Sequence, residues 1–240
     1  MRVALVTGSA GGIGSATVAH LTGQGYAVVG VDLDEAPESE HVAYVVGDVR
    51  ERAVLDRAVA LALERWGRLD AVVAAAAVVA GGQPLWETPD AELSDLLDVD
   101  VRGVWNTAAA AVPAMLAGPD PAGCRFVAVA SAAGSHGLFH LAAYTTAKHA
   151  VVGLVKGLAA DLVGTGVTAV AVSPGSTRTA MLDATAALYG VTDLAAFEAN
   201  QLLGRLLEPA EVAATIAFCC SVEGGVLNGS VVSADGGFRP

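Results

Sequence analysis

The sequence predicts an α/β fold: a single-domain, doubly wound parallel sheet of about seven strands with helices on both faces. Short apolar runs, typical of strands that are covered on both faces, alternate along the chain with longer helical stretches. The chain has 240 residues and shows neither a repeat nor a linker. We therefore expect one domain over 1–240 with a sizeable core.

The elements follow one another in a strand–helix rhythm. Strands are expected at 2–7, 26–32, 42–46, 69–75, 124–131, 167–173 and 230–234. Helices are expected at 12–24, 50–66, 90–117, 143–164 and 209–222, and Pro209 suits a first helical turn. The segment 180–206 interrupts this rhythm with large apolar residues among polar ones, and we expect it to form a lid over the substrate site.

Composition restricts the partners of the protein. Apolar residues make up 54% and charged residues 16%, so some apolar surface is expected to lie between subunits. The net charge of −12 makes nucleic acid and anionic membrane poor partners. An anionic cofactor must therefore be held by local backbone dipoles.

The termini and cysteines indicate an intracellular protein. Arg2 precedes only a short apolar run, which does not match a secretory signal. The apolar run 71–80 is about half as long as a membrane-spanning helix. The three cysteines (Cys124, Cys219 and Cys220) have no metal-ligand spacing. We expect buried, inert thiols, no metal site and a cytoplasmic location.

The segment from Thr7 to Gly14, TGSAGGIG, joins the first strand to the first helix. A glycine-rich turn in this position lets backbone N–H groups approach a phosphate, and the helix N-terminus adds partial positive charge. Asp32 ends the second strand, about 20 residues further on, where the adenosine ribose of a dinucleotide would lie. The pattern predicts a nucleotide site; the alternative is a merely structural turn.

A second cluster comprises Ser131, Tyr144 and Lys148. Tyr144 and Lys148 are four residues apart on a predicted helix and share a face. The pKa of a free tyrosine is about 10, so about 0.1% is phenolate at pH 7, and a nearby ammonium favours ionisation. The phenol could then exchange a proton with a carbonyl or alcohol oxygen, to which Ser131 donates a hydrogen bond. The alternative is an ordinary amphipathic helix.

These motifs together resemble the short-chain dehydrogenase/reductase family over essentially the whole chain. Beyond the glycine turn and the Ser-Tyr-Lys set, the matching positions are Asp48-Val49, Pro174-Gly175, Thr179 and Asp235-Gly236-Gly237. The resemblance implies a Rossmann-like domain, a homotetramer and a nicotinamide cofactor. The residues implied to contact this cofactor are Gly8, Ser9, Gly11, Gly12, Ile13, Gly14, Asp32, Leu33, Asp48, Val49, Ala74, Ala75, Ala76, Tyr144, Lys148, Pro174, Gly175, Thr177 and Thr179. We expect NAD, because Asp32 would accept hydrogen bonds from the ribose hydroxyls and repel a 2′-phosphate.

The chain departs from the family pattern in two places. Alanines occupy 74–77, where the family usually has Asn-Asn-Ala-Gly, so the hydrogen bonds of those asparagines are lost. Asp100, the fourth candidate in the catalytic set, aligns with an active-site asparagine. If its side chain reaches Lys148, its charge would oppose ionisation of Tyr144. The alternative is that Asp100 only caps local backbone.

The implied activity is hydride transfer between nicotinamide and an alcohol or ketone, with Tyr144 moving the proton. A 3-oxoacyl-thioester reductase is an alternative, and a non-catalytic, nucleotide-sensing protein is an alternative of another class. The alanine turn and the segment 81–88 also resemble a subgroup associated with the peptide redox carrier mycofactocin, in which the nicotinamide is retained; the carrier would then be a partner. An apolar substrate pocket is expected from Leu138, Phe139, Met181, Leu182 and Tyr189, whereas Trp86 and Trp105 are expected to pack.

Overall fold

The computed structural model, which describes residues 1–239, contains one parallel sheet of seven strands in the order β3-β2-β1-β4-β5-β6-β7. The strands are β1 Val3–Thr7, β2 Ala27–Asp32, β3 Val42–Val46, β4 Ala71–Ala74, β5 Arg125–Val129, β6 Thr168–Pro174 and β7 Val231–Ala234. All six strand pairings are parallel. The predicted single-domain α/β class is confirmed.

Eight α-helices accompany these strands in the described part of the chain. They are α1 Gly12–Gly23, α2 Arg52–Trp66, α3 Asp90–Leu96, α4 Gly103–Ala117, α5 Ala142–Asp161, α6 Ala180–Leu188, α7 Ala195–Glu198 and α8 Pro209–Cys220. None of the helices within residues 1–239 has both the length and the apolar character needed to cross a bilayer.

The five inner strands of the sheet bury both of their faces; they are β2, β1, β4, β5 and β6. In β1, Val3 and Leu5 point to a core shared with α2, α4 and α5, whereas Ala4 and Val6 point to a core shared with α1 and α8. Because successive side chains of a strand alternate between faces, a continuous apolar run satisfies both layers. This is why the strands appear in the sequence as unbroken apolar segments.

The strand order reverses direction at the junction of β1 and β4. The chain proceeds from β1 outward to β2 and β3, then returns to place β4 on the other side of β1. Thr7, at the end of β1, pairs with Val31 on one side and with Ala74 on the other. Ligands of open parallel sheets bind in the crevice at such a reversal, so a ligand is expected beside the residues that follow Thr7 and Ala74.

Several expected elements differ in detail. The stretch 90–117 is interrupted by a π-helical turn over Leu97–Arg102. β5 ends at Val129, so Ser131 does not end the strand; it caps a short 3₁₀ turn over Ala132–Gly134 instead. The lid segment 180–206 contains α6 and α7.

Trp86 and Trp105 do not pack within the chain: they are 81% and 64% exposed. Trp86 lies in a short 3₁₀ turn without buried residues, and Trp105 lies on the exposed face of α4. By contrast, all three cysteines are buried free thiols, as predicted. Burial raises the pKa of Cys124 and of Cys219 to about 11, which disfavours the reactive thiolate.

The end of β1 is tied to the chain that follows β4 by one side chain. Thr7 is 1% exposed, and its Oγ1 accepts hydrogen bonds from the N–H groups of Ala75 at 3.1 Å and Ala76 at 3.2 Å. The alanine turn has no polar side chains, so Thr7 supplies the acceptor from the neighbouring strand.

Substitution of Thr7 tests this tie. Thr7→Val preserves the shape but leaves two N–H groups without their acceptor, which should cost about 1–3 kcal/mol of the free energy of unfolding. The melting temperature should fall by several degrees in a thermal scan. Thr7→Ser keeps the hydroxyl and should stay within about 1 kcal/mol of the original chain. Equal melting temperatures for the valine and serine variants would contradict the assignment.

Candidate active site

The turn between β1 and α1 requires glycine at two positions. Gly8 has φ of +67°, and a Cβ added to it would lie 2.7 Å from the backbone nitrogen of Ala76. A Cβ on Gly14 would lie 1.9 Å from the carbonyl oxygen of Gly8. The first glycine therefore lets β1 approach the alanine turn, and the second lets α1 fold back onto Gly8.

The N-terminus of α1 fits a phosphate. Gly11 is the N-cap, and no side chain caps the helix. The N–H groups of Gly12, Ile13 and Gly14 lie in the first turn, where they have no acceptor within the helix. Gly12 also lies against Thr179, because an added Cβ would be 2.5 Å from its Cγ2. Donors and partial positive charge at one uncapped helix end are the features that bind a pyrophosphate.

Asp32 lies at the end of β2, beside this turn. One carboxylate oxygen accepts a hydrogen bond from the N–H of Ala10 at 2.8 Å, and the other accepts one from the N–H of Leu33 at 2.8 Å. The oxygen that faces Leu33 also accepts a longer hydrogen bond from the N–H of Asp34 at 3.4 Å. These bonds fix the position of the carboxylate, and the oxygen that faces Ala10 keeps lone-pair capacity for a further donor. The geometry suits an acceptor of ribose hydroxyls.

Asp48 and Val49 follow β3 at the same edge of the sheet. The backbone N–H and the Nε of Arg50 each donate to the Asp48 carboxylate at 2.8 Å. The hydrogen bond from the Arg50 side chain holds the pKa of Asp48 below its usual value. Val49 is buried, so its side chain belongs to the core.

Residues 174–179 bring the opposite wall of the crevice into position. Pro174 ends β6, and a Cβ on Gly175 would lie 2.5 Å from the carbonyl oxygen of Asp235. Thr177 donates from its hydroxyl to Gly175 O at 3.0 Å. Thr179 caps α6 by accepting from the N–H of Leu182 at 3.4 Å.

The helix α5 carries Tyr144 and Lys148 on its buried face. Lys148 is 2% exposed, and its Nζ lies 5.5 Å from the centre of the Tyr144 ring. Ser131 lies at the start of the turn that packs on this helix, and its Oγ accepts a hydrogen bond from the N–H of Ala133 at 3.1 Å. The turn touches α5 near Lys148, because a Cβ on Gly134 would lie 3.1 Å from Lys148 O.

Asp100 lies in the π-helical turn and is fully buried. Its Oδ2 lies 3.1 Å from Lys148 Nζ, and its Oδ1 accepts a hydrogen bond from the N–H of Val78 at 2.8 Å. The side chain of Asp100 thus reaches Lys148, and the backbone group that it holds is not local but lies 22 residues away in the chain. Burial is the largest single influence and lowers the pKa of Lys148, but the charges of Asp100 and Tyr144 and the hydrogen bond to Asp100 together outweigh it, so the net shift of this pKa is upward.

The segment 180–206 lies against Tyr144. The Tyr144 hydroxyl has the sulfur of Met181 as its neighbour at 4.0 Å, and the Tyr189 hydroxyl donates to the carbonyl oxygen of Phe139. Leu138 and Tyr189 join the apolar cluster around Tyr144. Of the other expected lining residues, Leu182 is buried and Phe139 is exposed.

Three contacts at this site were not apparent from the sequence. They are the N–H of Val78 on Asp100, the hydroxyl of Thr7 on the alanine turn, and the N–H of Gly82, which donates to His140 O at 2.9 Å. Each joins segments far apart in the chain through a backbone group, which no side-chain motif reports. Within residues 1–239 no three His, Cys, Asp or Glu side chains are grouped as metal ligands.

The chain is similar to known proteins over nearly its whole length. The family profile described as enoyl-(acyl carrier protein) reductase matches residues 8–239. The chain is 34% identical to an A-factor type gamma-butyrolactone 1′-reductase (1S-forming) of Streptomyces virginiae, over 99% of this chain and 95% of that protein. It is 33% identical to a cis-4-hydroxycyclohexanecarboxylate dehydrogenase of Sinomonas cyclohexanicum, over 99% and 96%.

A solved 3-ketoacyl-(acyl-carrier-protein) reductase from Brucella melitensis, complexed with NADH, superposes with a TM-score of 0.89 at 28% identity, over 98% of this chain and 97% of that one. The match with the family profile, the full-length relatives and the shared fold agree with the motifs at the site. The chain therefore belongs to the short-chain dehydrogenase/reductase family of oxidoreductases.

Proposed function

We propose that this protein is an NAD-dependent oxidoreductase that interconverts an alcohol and a ketone, with Tyr144 as the proton donor and acceptor. The observation that carries the proposal is the buried pairing of Tyr144 with Lys148 on one face of α5, beside the turn of Ser131. A buried ammonium, paired with Asp100 and set beside a tyrosine ring, is the kind of charged group in an unusual environment that clusters at functional sites.

The roles follow from the chemistry of each group. The Tyr144 hydroxyl gives its proton to a carbonyl oxygen or receives one from an alcohol. Ser131 donates a hydrogen bond to the same oxygen as negative charge develops. Lys148 places a positive charge beside the phenol, which favours loss of its proton. The nicotinamide cofactor supplies the hydride acceptor or donor when bound.

The cofactor would be held by the uncapped N-terminus of α1, with Gly8 and Gly14 allowing close approach. Asp32 would accept the ribose hydroxyls, Asp48 and Val49 would flank the adenine, and the alanine turn at 74–76 would line the middle of the crevice. Thr177 and Thr179 would contact the nicotinamide end. The fit rests on the free first-turn N–H groups and on the fixed carboxylate of Asp32.

The substrate is proposed to be a largely apolar alcohol or ketone. Met181 lies beside the Tyr144 hydroxyl, and Leu138 and Tyr189 pack against the apolar cluster that includes Tyr144. Arg178 is occupied by Glu208 at 3.2 Å. A 3-oxoacyl thioester is the second candidate, favoured by the likeness to the Brucella melitensis reductase. Comparison of the turnover of a series of apolar alcohols with the turnover of a 3-oxoacyl thioester distinguishes the two candidate substrates.

Tyr144→Phe keeps the ring and removes the oxygen that moves the proton. Turnover should fall by at least about 100-fold, the scale of one acid–base group, while the Kd for NAD changes little. Tyr26→Phe is the matched control, because the Tyr26 hydroxyl donates to Cys220 O far from the site. Near-normal turnover of the Tyr144 variant would overturn the catalytic assignment.

Calorimetry should show NAD binding more tightly than NADP by at least about tenfold, since the carboxylate of Asp32 repels a 2′-phosphate. Asp32→Ser should reduce the ratio between the Kd values for NADP and NAD. Asp34→Asn, which removes the charge of a neighbouring acid, should leave most of this ratio unchanged. Comparable Kd values for the two cofactors in the original protein would contradict the proposal.

The mycofactocin subgroup would imply that the nicotinamide cofactor is retained. A mass spectrum of the protein as purified tests whether a nicotinamide cofactor stays bound.

We also propose a homotetramer. Large apolar side chains are exposed on separate elements. Trp105, on α4, is 64% exposed, and Val226, between α8 and β7, is 85% exposed. Burial of such side chains against other copies would recover about 25 cal/mol per Å² of apolar surface. Light scattering at micromolar concentration should give four times the chain mass, and a monomer mass would reject the proposal.

A further inference from the structure

The two departures of this chain from its family pattern meet at one carboxylate. Asp100 replaces the usual asparagine, and residues 74–77 replace the usual Asn-Asn-Ala-Gly. In the structure Asp100 holds the N–H of Val78, directly after the alanine turn, and pairs with Lys148. Asp100 thus holds the residue that directly follows the second departure.

We propose that Asp100 is a positioning residue that balances the charge of Lys148 and anchors the alanine turn, and that the balanced pair keeps Tyr144 as a proton donor, suited to carbonyl reduction. This inference rests on the proposed function of Tyr144. It adds to that function the direction of proton transfer that the site favours near neutral pH.

A carboxylate is needed for the two contacts. Val78 and Lys148 both present donors, and the ionised side chain offers an acceptor oxygen to each. An asparagine has one acceptor oxygen, and its NH₂ group would face one of the two donors. Asp100 is therefore not interchangeable with the family's asparagine at this position.

The anchor compensates for the alanine turn. Thr7 holds the N–H groups of Ala75 and Ala76 from the β1 side, and Asp100 holds the N–H of Val78 from the opposite side. The backbone after β4 is thus fixed at both ends by side chains of other elements. The turn needs no polar side chains of its own.

The elements around Lys148 carry several charged or titratable side chains. Asp100 and Tyr144 are the ionisable groups whose charges act on its ammonium. Asp98 and Arg102, in the same π-helical turn, pair with each other at the surface at 2.9 Å. On α5, His149 is exposed and its ring contacts Thr145 O at 2.9 Å. On the turn after β5, His136 contacts Ser135 and Ala132 O.

The consequence for the phenol follows from the charge count. With Asp100 ionised and Lys148 protonated, the pair is neutral before Tyr144 loses a proton. Ionisation of Tyr144 then leaves one net negative charge in a buried cluster, whereas with a neutral amide at 100 it would leave none. Asp100 thus works against the phenolate.

Carbonyl reduction needs Tyr144 in its protonated form. In reduction the O–H bond of Tyr144 breaks as its proton passes to the carbonyl oxygen, while a hydride reaches the carbonyl carbon. The phenolate then regains a proton from solvent. The enzyme leaves the overall equilibrium unchanged; Asp100 sets the pH range over which Tyr144 holds the proton it must donate.

The test compares Asp100→Asn with Asp98→Asn, which removes an equal charge from the exposed side of the same turn. The rates of alcohol oxidation and ketone reduction are measured against pH for each protein. As the pH increases, the rate of alcohol oxidation should rise and the rate of ketone reduction should fall. In Asp100→Asn both changes should occur at a pH about one unit lower, the scale of one nearby charge. The Asp98→Asn curves should superimpose on those of the original protein.

A second measurement is independent of turnover. Tyrosine labelled with ¹³C at Cζ reports ionisation of each phenol by NMR, and Tyr144→Phe identifies the signal of Tyr144. The titration midpoint of this signal should be about one pH unit lower in Asp100→Asn. A purely structural role would lower the melting temperature of that variant without moving the midpoint.

The outcomes are separable. Superimposable pH profiles and titration curves for the original protein and Asp100→Asn would overturn the inference. If Tyr144→Phe retains turnover, the proposed function fails, while the NMR titration still measures the effect of Asp100 on Tyr144. A shift of equal size in Asp98→Asn would assign the effect to overall charge and also refute the specific role of Asp100.

Discussion

The arrangement of the site depends on the close approach of Gly8 to the backbone after β4. No side chain fits between them, because an added Cβ would lie 2.7 Å from Ala76 N. This contact sets the width of the crevice at the point where the strand order reverses. From there the placements follow in sequence: the alanine turn, then Val78, then Asp100, Lys148 and finally Tyr144.

Charge at the site is controlled locally, in a protein that is strongly acidic as a whole. The chain carries a net charge of −12, yet the glycine turn presents N–H groups at a helix end and α5 presents a buried ammonium. Asp100 removes the net charge of that ammonium at contact distance. Short-range pairing and backbone dipoles, rather than the overall field, therefore decide which charges the reacting groups experience.

Much of the fold could be predicted from the sequence, because strands buried on both faces leave unbroken apolar runs and because glycine is required wherever backbones meet closely. The motif residues of the site were also apparent in the sequence as residue types at known spacing. What the sequence did not reveal were the contacts through backbone atoms. The N–H of Val78 and the capping role of Ser131 depend on where helix and strand ends fall, and the exposure of Trp105 depends on which face of α4 meets the core.

The alanine turn illustrates how loss of side-chain groups can be offset elsewhere. Its backbone is fixed by Thr7 and Asp100, which lie on elements that the core already immobilises. Rotamer entropy is not lost at the turn itself, since alanine has none to lose. The ordering is thus imposed by the better-packed parts of the protein.

The π-helical turn over Leu97–Arg102 makes the site sensitive to chain length as well as to residue type. A π turn accommodates one residue more than the same stretch of α-helix, and each residue rotates a helix by about 100°. Deleting a single residue here would let α3 and α4 merge into one regular helix without disturbing the sheet. The same deletion would turn the carboxylate of Asp100 away from Lys148. An insertion or deletion at this turn would therefore change the electrostatics of the site by moving the carboxylate, whereas a substitution of Asp100 would change them by removing its charge.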